Sequence, residues 1–183
     1  VTGHLGAYNP TDAGRRIEEF VDLLSNWYVR RSRRRFWRSE SDDDKTWPHA
    51  VLYSCLTTLS KLMAPLTPFV ADAIYRNLSP AGSPDSVHLA GYPVADEALI
   101  DDGLDRAVRL AMRIASLGRA ARSKGKVRVR QPLARILVRV RPEDVPLLST
   151  VEAQVLDELN VKAIETAPDD ALSFTVRPNL PVL

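Results

Sequence analysis

The sequence predicts a mainly α protein: a four-helix bundle over residues 1–124, followed by a small α+β piece over residues 125–183. Three observations predict it. Apolar residues recur at helical spacing in four segments before Gly125. Cap residues and prolines stand where those segments begin. Beyond Gly125 the pattern changes to short β-branched runs with one further helical segment between them.

The first helix is announced by Asn9-Pro10-Thr11-Asp12 and extends to about Trp37. Cap candidates, a first-turn proline and an acid at the positive dipole end all agree there. Its core stripe is Ile17, Phe20, Val21, Leu24 and Tyr28. Residues Glu40 to Thr46 read as a polar loop. Thr46-Trp47-Pro48 opens the second helix, to about Met63, with Val51, Leu52, Cys55, Leu56, Leu59 and Leu62 inside. Pro65 breaks it. Thr67 caps the third, where Phe69, Ile74, Tyr75 and Leu78 are expected to pack.

Pro80, Gly82, Pro84 and Gly91 make residues 79–92 a long loop, with a short extended piece at Ser86 to Leu89. Asp101 starts the fourth helix, to about Ser123, with a small-residue stripe of Leu104, Ala107, Val108, Ala111, Ala115 and Gly118. Such a stripe predicts close approach of a neighbouring helix. Leu133 to Val140 reads as a strand, Pro142 to Leu159 as a helix, and Val161 to Thr166 and Leu172 to Arg177 as strands. The domain boundary is expected between Lys124 and Pro132. Both ends read as cut, which predicts a piece of a longer protein.

A chain of 183 residues with 45% apolar content has enough material for a core. No apolar run is long enough to cross a membrane, and the start has neither a basic n-region nor an apolar h-region. Cys55 is the only cysteine, so no internal disulfide forms and a reducing, cytoplasmic setting is expected. No glycine-rich phosphate loop, nucleophile elbow or metal-ligand spacing is present. His4, His49 and His88 lack an acid or nucleophile partner in the sequence and read as surface or packing residues. Asp42 to Asp44 lack calcium-loop spacing and read as solvated acids.

The net charge of +2 conceals segregation. Six arginines fall between Arg30 and Arg38, and nine cations fall between Arg119 and Arg141 without one acid. Such blocks are solvated faces or polyanion surfaces. On a regular helix, Arg31, Arg35 and Arg38 continue the core stripe, and Arg31 and Arg35 would pair there with acids such as Asp72 or Glu97. Asn26, Arg30, Arg33, Arg34 and Trp37 gather on the opposite face, with Arg38 ending the run. Trp27 borders the core and reads as packing; Trp37 is the stacking candidate. Arginine's planar fork suits phosphate, and an aromatic ring suits an unstacked base. That combination fits folded RNA with a single-stranded loop better than a DNA major groove.

In the second block, Arg122 and Lys124 close a helix. Lys126, Arg128 and Arg130 alternate with Val127 and Val129 up to Gln131. Alternation predicts an extended segment with three cations on one side and a packed underside. Arg122, Lys124, Lys126, Arg128, Arg130 and Gln131 are therefore RNA-contact candidates, against the competing reading of a solvated linker.

The segments NWYVRRSRRRFW, LYSCLTTLSKLMAPLTPFVADAIYRNL, SVHLAGYP, LGRAARSKGKVRVRQPL, LDELNVK and VRPN, in that order, resemble the carboxyl-terminal part of isoleucyl-tRNA synthetase. The resemblance covers nearly the whole chain. One departure is Gly125-Lys126, which adds a cation where that family often has a small residue followed by glycine. The resemblance implies a class I helical anticodon-binding domain plus the start of a junction domain. It implies isoleucine-specific tRNA and the rest of the parent synthetase as partners. ATP with magnesium would belong to a catalytic domain whose two signature motifs are absent here. The piece itself would bind and orient tRNA, have no cofactor and be inactive alone. The alternatives are a valyl or leucyl enzyme, a non-catalytic RNA-binding protein, and a scaffold for an acidic protein partner.

Overall fold

The computed structural model describes residues 1–37 and 42–167, with the side chains of 42–45 outside the description. Its contacts divide the chain into two compact units, Val1–Asp96 and Glu97–Leu183. The fourth expected helix therefore lies in the second unit with the α+β segment, whereas the sequence reading grouped it with the first three.

The first unit begins with a short helix the sequence did not announce, α1 (Thr2–Gly6), and then α2 (Pro10–Leu23). Asn9 caps α2: its side-chain oxygen accepts from the Asp12 N–H at 3.1 Å, and its amide donates to the Asp12 carboxylate at 2.7 Å. Such a cap contributes about 1 kcal/mol. The helix then changes gauge. Leu24–Val29 forms a π-helical stretch before α3 (Arg30–Trp37) resumes α geometry.

That stretch corrects the expected core line. A π turn accommodates one extra residue without advancing the helical phase. The inward series is accordingly Ile17, Leu24, Tyr28, Ser32 and Phe36, with Ser32 buried. Arg31 and Arg35 sit one residue off it; Arg31 is half-buried and Arg35 exposed. Asp72, one of the two acids suggested for them, is engaged elsewhere. It accepts from the Ser86 hydroxyl at 2.6 Å, from the Val87 N–H at 2.9 Å and from Arg76 at 2.8 Å.

Helix α4 (Asp42–Met63) starts earlier than expected, so Asp42 to Thr46 is helical backbone rather than loop. Pro48 lies inside it with a buried side chain, and its carbonyl accepts from the Tyr28 hydroxyl at 3.1 Å. Helix α5 (Pro68–Leu78) packs on α4 through Ala71 and Tyr75, clustered with Val87, Met63, Ala64 and Ala90. Phe69 does not pack. It stands on the face of α5 opposite Ala71 and is exposed. The expected extended piece at 86–89 is a 3-10 turn, Val87–Leu89, capped by Ser86. The Asp72 bonds draw that turn against α5.

In the second unit, α6 (Asp102–Lys124) is capped by Asp101, which accepts from the Leu104 N–H at 2.8 Å. It packs along α7 (Val145–Leu159) through Ala107, Ala111, Ile114 and Ala115. Small residues allow the close approach the sequence predicted: a Cβ on Gly118 would collide with the buried Leu159 side chain. Leu104, expected in the stripe, is exposed at the helix start.

A 3-10 turn at Pro142–Asp144 leads into α7, which connects β1 (Ile136–Val138) to β2 (Ile164–Thr166). The strands pair in parallel, Ile136 opposite Ile164, with a bridge between Leu133 and Val161. The strand expected at Leu172 to Arg177 lies outside the described residues. The fold is mainly helical with a small two-stranded sheet, as the sequence predicted for its class.

Candidate nucleic-acid interface

The α3 face is built by its underside. Phe36 meets Tyr28 edge-on at 6.5 Å and His49 of α4 edge-on at 4.8 Å between ring centroids. With Ser32 and Phe36 turned to α4, positions 30, 33, 34 and 37 fall within one outward arc of about 100°. All four are exposed, as is Asn26 one turn earlier. The π stretch thus leaves this face intact although it moves the core line. Arg38 lies outside the described residues.

The side chains on this face are organised. The Arg30 Nε donates to the Asn26 carbonyl at 2.9 Å, fixing the stem along the helix. Arg33 stands over the Trp37 ring at 5.9 Å, and Trp37 is 70% exposed. Arg34 makes no ion pair or hydrogen bond among the described residues. Trp27 is half-buried and carries Arg31 at 5.3 Å from its ring, in keeping with its expected packing role. A guanidinium over an indole pre-orders both groups, and Arg33 and Trp37 both stay exposed to solvent. Phosphate and an unstacked base are the ligands such a surface suits.

The second cationic segment departs from expectation in shape. It is not extended: a turn at Gly125-Lys126 is followed by another over Arg128 to Gln131, where the Gln131 N–H donates to the Arg128 carbonyl at 3.0 Å. Val129 is therefore exposed rather than packed, and only Val127 is half-buried. Lys126 adopts φ 54°, a left-handed conformation that glycine adopts more readily than lysine. Lys124, Lys126, Arg128, Arg130 and Gln131 are exposed. The four cations make no ion pair among the described residues.

Arg122 is the correction in this block. It is 6% exposed, and its guanidinium is spent on backbone carbonyls. It donates to Arg128 and Gln131, both at 3.0 Å, to Leu159 at 2.6 Å and to Asn160 at 3.1 Å. It cannot reach a phosphate from there. The residue that sequence reasoning missed is Asn160. It ends α7 in the left-handed conformation and donates to the Val129 and Arg130 carbonyls at 3.1 and 3.0 Å. Its signal was an asparagine directly after a helix, a common left-handed stop.

Neighbouring cations behave differently. Arg119 pairs with the buried Glu158 at 2.7 Å, and Arg106 and Arg141 both bind Asp144, at 3.2 and 2.8 Å. Arg135 pairs with Glu165. The basic block thus separates into structural arginines within the unit and exposed cations on the 124–131 segment. No cluster of three or more histidine, cysteine, aspartate or glutamate side chains suited to a metal occurs among the described residues. Burial pushes the Cys55 thiol above its ordinary value, away from the thiolate form.

Residues 1–138 match the family model described as the anticodon-binding domain of tRNA ligase. The chain belongs to this anticodon-binding family. Its relatives include isoleucine-tRNA ligase of Dehalococcoides mccartyi, 56% identical over 165 residues, which is 87% of this chain and 16% of that protein. The same ligase of Thermobifida fusca is 45% identical over 93% of the chain, and that of Deinococcus radiodurans 44% identical over all of it. These alignments cover 16% and 17% of the two ligases. The chain thus spans about a sixth of the length of the curated relatives it matches. Trp37 and the exposed cations of α3 and of the 124–131 segment lie within residues 1–138.

Proposed function

We propose that this chain binds tRNA at the anticodon arm and orients it for an isoleucine-tRNA ligase of which it is a part. The observation that carries the reading is the α3 face, where Arg30, Arg33, Arg34 and Trp37 are exposed together on a helix whose opposite side is packed. Phosphate contacts from arginine supply position and most of the affinity; the indole offers a surface for an unstacked base. The Lys124 to Gln131 segment is proposed as a further phosphate-contacting strip.

The remaining assignments rest on relatedness to the isoleucine ligases. We assign attachment of isoleucine to its tRNA, with ATP and magnesium, to the rest of the longer protein. The chain alone should bind but not aminoacylate. A cytoplasmic location follows from that role, and no described helix is long and apolar enough to cross a membrane.

The test is footprinting of isoleucine tRNA with this chain and with the Arg30→Ala, Arg34→Ala, Trp37→Ala triple variant. Protection limited to the anticodon arm and lost in the variant supports the reading. Protection of the acceptor end, or protection indifferent to the three substitutions, overturns it.

A further inference from the structure

The loop carrying Arg128 and Arg130 is held in an unusual way. Its four consecutive carbonyl oxygens, Arg128 to Gln131, all accept hydrogen bonds from two side chains of the same unit. Arg122 takes the first and last, and Asn160 the middle two. Arg122 reaches the loop from the end of α6, and Asn160 from the end of α7. Arg122 also binds the Leu159 and Asn160 carbonyls, so the two clamping residues are themselves joined.

A buried guanidinium is costly unless its donors are filled, and here carbonyl oxygens fill them in place of a carboxylate. Among the described residues no carboxylate pairs with it, and the exposed cations of the same loop, Arg128 and Arg130, are turned out to solvent. A loop fixed through every carbonyl has little freedom to fold its cations back. Pre-ordering of this kind lowers the cost of forming contacts with a ligand.

We propose that Arg122 and Asn160 are positioning residues, a clamp that sets the backbone of residues 128–131 so that Arg128 and Arg130 meet RNA phosphates. The inference rests on the RNA-binding reading above and deepens it. Arg122 acts through Arg128 and Arg130 rather than as a contact of its own. The competing role is a plain structural stitch between the ends of α6 and α7, with no effect on RNA.

Asn160→Gly separates the two. Residue 160 has φ 49° and ψ 56°, a conformation glycine adopts freely, so the variant deletes two hydrogen bonds without adding strain. Asn160→Asp, of the same shape but bearing oxygen in place of the donor nitrogen, serves if the glycine variant unfolds. Isoleucine tRNA binding is measured across a salt series, and trypsin cleavage after Arg128 and Arg130 is timed. Expected are faster cleavage at those sites, about tenfold weaker binding, and a slope of log K against log salt reduced by about two. In an Arg128→Ala, Arg130→Ala background the same substitution should leave binding unchanged.

Unchanged cleavage, an unchanged salt slope, or an equal loss in both backgrounds overturns the clamp. If Arg128→Ala, Arg130→Ala alone leaves binding and slope untouched, the loop makes no RNA contact and the proposal falls. The α3 footprint then still decides the wider reading by itself. Absence of any salt-dependent tRNA binding by the unaltered chain would count against that wider reading, while the trypsin comparison still reports on the clamp.

Discussion

Single residues in the basic block differ in purpose although they share a charge. Lys126 is the sharpest case, because its backbone and its side chain ask for different amino acids. Its left-handed φ suits glycine, while its ammonium adds to the exposed cations. Lys126→Gly should therefore raise the stability of the second unit by about 0.5–1 kcal/mol, read by urea unfolding. It should at the same time weaken tRNA binding and lower the salt slope by about one. Two changes of the same sign would refute that division. Arg122 illustrates why residue roles here were only partly legible. In the sequence it is one cation among nine, and nothing local distinguishes it from Arg128. Its burial is decided by the Leu159 and Asn160 carbonyls, 37 and 38 residues away.

Among the elements, α6 was legible almost to the residue, and α7 in all but its first turn, which is a separate 3-10 turn. Asp101 caps the one, Pro142 starts the approach to the other, and the apolar spacing between is regular. The helix spanning α2 to α3 was legible in extent but not in phase. Side-chain periodicity counts residues, and a π stretch changes the count per turn without any change in composition. The series Leu24, Tyr28, Ser32, Phe36 shows the shift only once α4 is seen beneath it. A pair of length variants tests this. Deleting Ser25, which is exposed, should let the helix become regular while Ser32 and Phe36 still face α4. Inserting one alanine after Ser25 should instead bring Arg31 and Arg35 to those positions, at a cost of several kcal/mol. Thermal unfolding should show a small change for the deletion and a large loss for the insertion; equal losses would refute the phase argument. The early start of α4 was missed because a run of acids reads as loop, yet acids also favour a helix's first turn.

For the molecule as a whole, charge is arranged so that acids and bases answer to different conditions. Two carboxylates, one in each unit, hold their folds through charge-assisted bonds. The Ser86 hydroxyl, the Val87 N–H and Arg76 keep Asp72 below the ordinary carboxylate range. The Arg141 guanidinium, followed by that of Arg106, does the same for Asp144. Both groups bind protons more weakly folded than unfolded, so their stabilisation is fully present above the unfolded value of about 3.9. It is lost as pH falls through the lower folded values. Unfolding midpoints in urea should accordingly hold level from pH 7 to about 5 and drop below pH 4. Asp72→Asn with Asp144→Asn should flatten that drop from a lower starting point. An unchanged acid limb in the double variant would show that other groups control it.

The parallel pairing of β1 with β2 has its own consequence. In this register the amides of Ile136 and Val138 turn inward to β2, while that of Leu137 looks the other way, where no strand lies among the described residues. Among the described residues neither flank of so narrow a ribbon is paired, and an unpaired flank accepts an added strand, from elsewhere in the polypeptide or from another copy. Proline at 137 removes only the outward amide, so the ribbon should persist while that flank is sealed. At 136 the same exchange would cut the tie to Ala163 and undo the ribbon itself.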